Sequence, residues 1–422
     1  MNTTPQNTPF KQTEIGPIPQ DWEVVSLKNF IEKLEAGVSV NSIDEGFIDV
    51  EDEYSILKTS SVTNGIFKPQ EAKKILPRDI KRARLNPIKD RIIISRMNTP
   101  DLVGECGYVN KTYFNLFLPD RLWMTFFRKD YPINTKWLSY ILSYPTYRKK
   151  IQESATGTSN SMKNIAKDSF LKLQIPLPPL PEQTAIATAL SDADALIGSL
   201  EKLIHKKRLL KQATLQHLLT PKEDWEVKKF NEVCWFQEGP GLRNWQFTKR
   251  GIKVINVTNL ENGILNLDRT DRHISLEEFH KMYEHFEIDA NDIVVASSGN
   301  SYGKVAVVRK QDLPLLMNTS VIRFKPLNNL DYKFLLTFLK SNQFKNQIDL
   351  LITGGAQPNF GPAHLNKILI TLPSKIAEQT RIATILSDMD AELSGLEGKL
   401  EKYRQLKQGM MQQLLTGKIR LV

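Results

Sequence analysis

The chain is written twice. Asp21-Trp22-Glu23-Val24 returns as Asp224-Trp225-Glu226-Val227, 203 positions later. Asn64-Gly65-Ile66 returns as Asn262-Gly263-Ile264 at an offset of 198, and Ile92-Ile93-Ile94 as Ile293-Val294-Val295 at 201. Leu138, Ile141, Leu142 and Ile151 answer to Leu335, Phe338, Leu339 and Ile348 at 197, and Glu182-Gln183-Thr184 to Glu378-Gln379-Thr380 at 196. Matches in a single order, with the offset drifting only between 196 and 203, are not chance, and such a period declares architecture ahead of any propensity argument. A period near 200 is too long for a solenoid repeat and suits a domain-sized module.

Each copy reads as a mixed, strand-rich part followed by one long helix, an α+β class. The β-branched runs Arg91–Ser95 and 252–257 predict strands, and the Asn-Gly pairs at 64–65 and 262–263 predict turns. Residues 136–152 and 332–349 carry aromatic and leucine faces at helical spacing. Pro176, Pro178, Pro179 and Pro181 then punctuate the first copy, Pro181 being suited to the opening turn of a helix. The expected divisions are an arm at 1–20, a first module at 21–177 with its helical region at 178–220, a second module at 221–372 with its helical region at 373–416, and a tail at 417–422.

The helical regions carry the sharpest periodicity. Ile186, Leu190, Ala193, Ile197, Leu200 and Ile204 step by 4 and 3 in alternation, the seam of a coiled coil. Shifted by 196 they become Ile382, Leu386, Met389, Leu393, Leu396 and Leu400. Residues 182–219 would extend about 57 Å as a helix, a stripe too long for one small core. An antiparallel pairing of the two helices is the economical reading, because Pro221 opens the second module where the first helix ends. The other reading is that each helix packs on its own module or on a partner's helix.

Composition narrows function. Lys plus Arg number 57 against 47 Asp plus Glu, a formal charge of +10, which favours a polyanionic partner. No apolar run approaches the roughly 18 residues of a spanning helix, and residues 1–10 lack signal-peptide character, so a cytoplasmic location without membrane association is expected. The two cysteines, Cys106 and Cys234, give no disulfide framework or thiolate metal site.

Paired modules match the symmetry that relates half-sites on duplex DNA, and copies that have diverged can read different bases. Residues 68–96 hold ten Lys or Arg against three acids, a run suited to phosphate contact or, more plainly, a solvated basic loop. From it and its surroundings come the first module's candidate DNA contacts: Arg78, Lys81, Arg82, Arg84, Arg96 and Asn98, with Lys163 and Asn164 in a later polar turn. In the second copy, 268–287 is balanced to acidic, and the candidates lie elsewhere. They are Arg243, Asn244 and Gln246, in a cluster with Trp245, Lys249 and Arg250; Ser298, Asn300 and Lys304 in a Gly-containing loop; and Gln357 and Asn359. Arg pairs best with guanine, and Asn or Gln with adenine, in the major groove.

Four features together carry a family resemblance: Pro178-Pro179-Leu180-Pro181-Glu182-Gln183, the repeated Glu-Gln-Thr, Gly355-Ala356-Gln357-Pro358-Asn359, and the entry Ile15-Gly16-Pro17-Ile18-Pro19-Gln20-Asp21-Trp22. Over nearly its whole length the chain resembles the specificity subunit of type I restriction-modification systems. The resemblance implies two target recognition domains, each reading half of a split asymmetric site on double-stranded DNA, with the helices as spacer. It also implies docking of two methyltransferase subunits on the helices, and of restriction and motor subunits on that core. Where the second copy has the Gly-Ala-Gln-Pro-Asn stretch, the first has Thr158-Ser159-Asn160-Ser161-Met162.

A catalytic role for the chain itself is not expected. It contains no Gly-x-x-x-x-Gly-Lys-Ser/Thr phosphate loop and no Asn/Asp-Pro-Pro-Tyr/Phe tetrapeptide of the usual amino-methyltransferases. Glu71-Ala72-Lys73 and Glu397-Gly398-Lys399 have a nuclease-like Glu-x-Lys form without a preceding Pro-Asp pair. No cofactor or metal is therefore expected on this chain; S-adenosylmethionine, ATP and Mg²⁺ would belong to partner subunits. The alternative is a detached or regulatory specificity protein partnering another methyltransferase or nuclease.

Overall fold

The computed structural model describes residues 9–47, 49–50, 53–157, 162–261, 263–352 and 359–421, with only the backbone of Asn300. The chain divides into two compact units, one of residues 1–201 with 398–422 and the other of residues 202–397.

At the centre of the first unit, the strands Ile31–Ala36, Leu122–Phe127, Arg91–Ser95 and Cys106–Val109 lie side by side in that order, each antiparallel to the next. Parallel pairing to Gly65–Phe67 extends the sheet, and Asn64 and Gly65, both at positive φ, turn the chain back onto Val62–Thr63. The repeated apolar triplet now has a cause. Ile92 and Ile94 face a core that contains Trp22, Trp123 and Trp137, while Ile93 faces a second core around Val62, Leu116 and Met124. A central strand buried on both faces must be apolar at every position.

The second unit repeats this arrangement with Cys234–Glu238, Val321–Pro326, Ile293–Ala296 and Val305–Val307. Ile293 and Val295 face one core, Val294 and Ala296 another. The Asp-Trp-Glu-Val repeat also has a common role: Glu23–Ser26 pairs with Gln174–Leu177, and Trp225–Lys229 with Leu369–Pro373, so each module's first strand clasps the strand that leads into its long helix.

The predicted helix over 136–152 is two helices, Thr135–Ser143 and Pro145–Glu153. Pro145 forces Tyr144 into an extended conformation (ψ 134°) and starts the second helix at its first turn. The predicted helix over 332–349 is likewise split into Tyr332–Leu339 and Asn342–Leu351, where the Ser341 hydroxyl accepts from the Phe344 N–H and caps a new start. The strand expected at 252–257 ends at Ile255, where Asn256 caps a short turn.

The long helices are Leu180–Leu218 and Ile376–Leu414. All twelve seam positions, Ile186 through Ile204 and Ile382 through Leu400, are buried or half-buried. In the first unit Lys407 pairs with Asp194 and Arg404 with Glu201, both at 2.6 Å. In the second, Lys207 pairs with Glu392 at 2.6 Å, Lys211 with Asp390, and Lys222 with Glu378 at 2.7 Å. Within each unit the partner's number falls as the first helix advances, so the two segments run antiparallel. Beyond Ile204 the same 3-and-4 stepping reaches Lys207 and Lys211, where neutralisation by acids replaces apolar contact. The tail belongs to the first unit, because Arg420 reaches Asp21 and Glu182 there. Among the described residues, no helix is long and apolar enough to cross a membrane.

Candidate nucleic-acid interface

The repeated Glu-Gln-Thr is framework. Gln183 is buried; its amide donates to the Pro178 carbonyl (2.9 Å) and its oxygen accepts from the Asn134 N–H (2.9 Å). Gln379 does the same with Pro373 (2.9 Å) and Asp331 (2.8 Å). Asn134 and Asp331 are the N-caps of the helices that begin at Thr135 and Tyr332. One buried amide therefore locks the start of each long helix to the start of a short one.

With the frame fixed, one end of each sheet collects the loops. In the first unit the strand termini Ala36, Leu122, Ser95 and Cys106 share an end. The chain leaves Ser95 as Arg96 and forms the short strand Met97–Asn98, which pairs with Lys163–Asn164. Four predicted residues, Arg96, Asn98, Lys163 and Asn164, thus converge across a gap of 65 positions in sequence. Arg96 lies over the Trp123 ring at 5.8 Å, and its Nε, like the Asn164 Oδ1, is buried without a hydrogen-bond partner. Lys163 Nζ is 2.9 Å from the Gly157 carbonyl. Asn98 is more constrained, its amide donating to Ser95 Oγ at 3.1 Å and its oxygen accepting from the Thr99 N–H at 2.9 Å.

The second unit uses the same end. Ser298 bridges Asn359, and Phe360 N–H donates to the Ser297 carbonyl just as Ile165 N–H donates to that of Arg96. Lys304 and Asn359 are exposed on this rim and Ser298 half-exposed. Asn300's side chain and Gln357, with most of the Gly-Ala-Gln-Pro-Asn stretch, lie outside the described residues, as does 158–161 in the first copy. The segment with Arg243 and Asn244 leaves Glu238 at this same end. A Cβ on Gly239 would collide with the Asn318 carbonyl, and one on Gly37 with that of Leu118, so both copies need glycine where the first loop departs. Burial raises the carboxyl pKa of Glu238, also at this rim, above its ordinary value.

Two groups of predicted residues stand differently. Gln246 is buried, its oxygen accepting from the Arg243 N–H and its amide donating to Glu278 and to the Tyr283 hydroxyl. Those bonds consume the groups that would read an adenine, so Gln246 is corrected from a base contact to an internal anchor. The run 68–96 is not one basic surface but three elements, the strand Ala72–Ile75, the turn Pro77–Arg82 and the strand Arg91–Ser95. Within it, buried Asp79 pairs with Arg82 at 2.6 Å and with Arg78 at 3.8 Å, and the hydrogen bond from the Asn41 amide, together with these guanidinium groups, holds its carboxyl below the ordinary range. Lys81 and Arg84 are exposed beside them. Exposed Arg121, which the sequence reading does not single out, sits at this same sheet end just before the Leu122–Phe127 strand, its carbonyl accepting from the Arg96 N–H.

Comparison with known proteins converges on one family. The sequence profile described as "Type I restriction modification DNA specificity domain" matches residues 19–209 and again 222–405. The chain is 27% identical over 433 residues to the type I restriction enzyme MjaVIII specificity subunit of Methanocaldococcus jannaschii, covering 98% of this chain and 96% of that one. It is 28% identical over 170 residues to the EcoKI specificity subunit of Escherichia coli, covering 40% of this chain and 36% of that one. The crystal structure of the type I restriction-modification S subunit from M. genitalium shares the fold, with a TM-score of 0.61 at 19% identity over 93% of this chain and 96% of that one. The chain belongs to the type I restriction-modification specificity subunits, with two tandem recognition domains.

Proposed function

We propose that residues 21–177 and 221–372 are target recognition domains, each reading one half of a bipartite, asymmetric site on double-stranded DNA, in the cytoplasm. The observation that carries this reading is the pair of equivalent ribbons, Met97 with Asn164 and Ser298 with Asn359. One framework holds them at one sheet end in both copies, while their side chains and flanking loops differ. A repeated frame with unlike contacts is what two unlike half-sites require. The long helices act as the spacer that sets the gap and as the dock for two methyltransferase subunits, with the restriction and motor subunits assembling on that core. The chain then supplies recognition and assembly, while S-adenosylmethionine, ATP and Mg²⁺ act on the partner subunits.

Single-molecule methylation mapping of DNA from cells that express this chain with its cognate methyltransferase, against the methyltransferase alone, tests the reading. A gapped two-part motif methylated only when both are present is the expected result. A complex that forms yet methylates no such motif would overturn it.

A further inference from the structure

Trp245 is 80% exposed, in a chain that buries Trp22, Trp123 and Trp137 completely or nearly so. It occupies the middle of the short turn Asn244–Gln246, and Gln246 fastens that turn to Glu278 and Tyr283. Through the Arg243 N–H to Gln246 bond at 2.8 Å, the turn is also closed on itself. The indole is therefore held out on a braced platform. Among the described residues, no ring or cation packs on it.

An indole left in water forgoes the burial that normally places tryptophan in a core or an interface, so this one is shaped for a partner. The segment that carries it is basic, while the neighbouring Glu278 is tied down by Gln246. Residues 239–250 include Arg243, Lys249 and Arg250, all exposed, and no acid. The partner's position follows from the fold, since this segment leaves the sheet at the Glu238 end, where Ser298 and Asn359 meet. The corresponding stretch of the first copy, 37–48, has no tryptophan, so the fold does not require one. A protein partner that docks alike on both copies would not require it in one alone. A ligand with negative charge and flat apolar faces is a nucleic acid, whose phosphates suit the cations and whose bases suit the indole.

We propose that Trp245 packs its indole against a base step in the half-site read by the second module and partly unstacks it, while Arg243, Lys249 and Arg250 hold the flanking phosphates. This rests on the reading that the second module binds DNA at this end. It adds a recognition residue whose information comes from the deformability of a step rather than from hydrogen bonds to base edges.

The test uses the full chain in complex with its methyltransferase, on duplexes carrying the mapped site with 2-aminopurine placed in turn along each half-site. Apart from the rise at any adenine that the methyltransferase flips out of the stack, the wild-type complex should raise 2-aminopurine fluorescence at one further step in the second half-site and at none in the first. W245A should abolish that rise and weaken specific binding about ten- to hundred-fold, the range set by loss of one base–aromatic stack. W245F should keep most of both. Because the side chain is exposed, W245A should melt as wild type does. No rise beyond the flipped adenines, or a further rise that is unchanged in W245A, overturns the proposal. So does a W245A chain that fails to assemble with the methyltransferase, which would place the indole at a protein interface. These outcomes are distinct from failure of the recognition reading itself, in which the wild-type complex has no two-part site at all.

Discussion

Arg420 Nε lies 2.6 Å from Glu182 Oε1, and the two side chains, 8% and 1% exposed, are nearly sealed from solvent. Arg420 also grips both Asp21 oxygens, at 2.8 and 2.7 Å, and the Trp22 Nε1–H donates to Glu182 Oε2 at 2.9 Å. The chain's last residues are thus bonded to the Asp-Trp of the first repeat and to the Glu of the helix motif. Among the described residues the second copy has no such closure: Glu378 pairs with Lys222, and Trp225 Nε1 is buried without a partner.

Removing one member of that pair should be costly, since Arg420→Ala strands a buried carboxylate. A loss of roughly 3 kcal/mol in urea unfolding is expected. The double change Glu182→Gln with Arg420→Met should recover a good part of it, because an apolar or neutral replacement removes the desolvation cost as well as the attraction. A double variant no more stable than Arg420→Ala would show that the contact is not an ion pair in solution.

The same contact sets an acid limit. The Arg420 hydrogen bond holds the Asp21 pKa below its ordinary 3.8. A carboxylate depressed on folding contributes stability that is complete above the unfolded pKa and is lost as pH falls through the folded one. The wild-type chain should therefore lose more stability below about pH 4 than Asp21→Asn does. Parallel pH profiles of the two in thermal melts would remove Asp21 from the account.

Gln183 and Gln379 should be equivalent in consequence. Either change to Ala removes a buried amide that bonds a Pro carbonyl and the N-cap backbone of a short helix. A loss of about 2 kcal/mol is expected for each, from buried backbone groups left unsatisfied. Limited proteolysis should find new cleavage near Asn134 in Gln183→Ala and near Asp331 in Gln379→Ala. Cleavage elsewhere would separate the motif from the helix starts.

This role shows how much was legible in sequence. The repeat exposed two modules, the buried strand triplets and the helix seam, because each is written as a local period. It also marked Glu-Gln-Thr as special, without the reason, because Asn134 and Asp331 lie about 50 residues away. Separation in sequence also hides the role of Gln246, whose partners Glu278 and Tyr283 lie 32 and 37 positions away. The ribbon of Asn98 and Lys163 was visible only as two polar turns until the chain brought them together. The run 68–96 reads as basic because charge can be counted in sequence, whereas the burial of Asp79 and its pairing with Arg82 and Arg78 cannot.

Lys163 and Asn359 should fail in different ways. A lysine on the rim contributes to phosphate neutralisation, so Lys163→Ala should weaken binding to all sequences alike and reduce the slope of log affinity against log salt by about 1. Asn359, a side chain with base-reading chemistry, should cost about 1–3 kcal/mol on the specific site and little on random duplex, relaxing one position of the second half-site. Binding titrations at several salt concentrations separate the two. Equal loss on all sequences from Asn359→Ala would move it to the phosphate group.

Helix length tests the spacer. The seam survives insertion of a whole heptad but not of a part, because 7 residues return apolar side chains to the same face with only about 20° of drift. One heptad inserted in each long helix, after Glu201 and after Glu397, lengthens each by about 10.5 Å at a rise of about 1.5 Å per residue. At about 3.4 Å per base pair, the gap in the methylated motif should grow by about three positions, with both half-sites unchanged. Insertion of three residues should instead rotate the seam by most of a turn, expose Leu393 and Leu400, and lower the melting temperature. Methylation mapping of the heptad variant decides the matter: altered half-site bases with an unaltered gap would mean that the helices do not set the spacing.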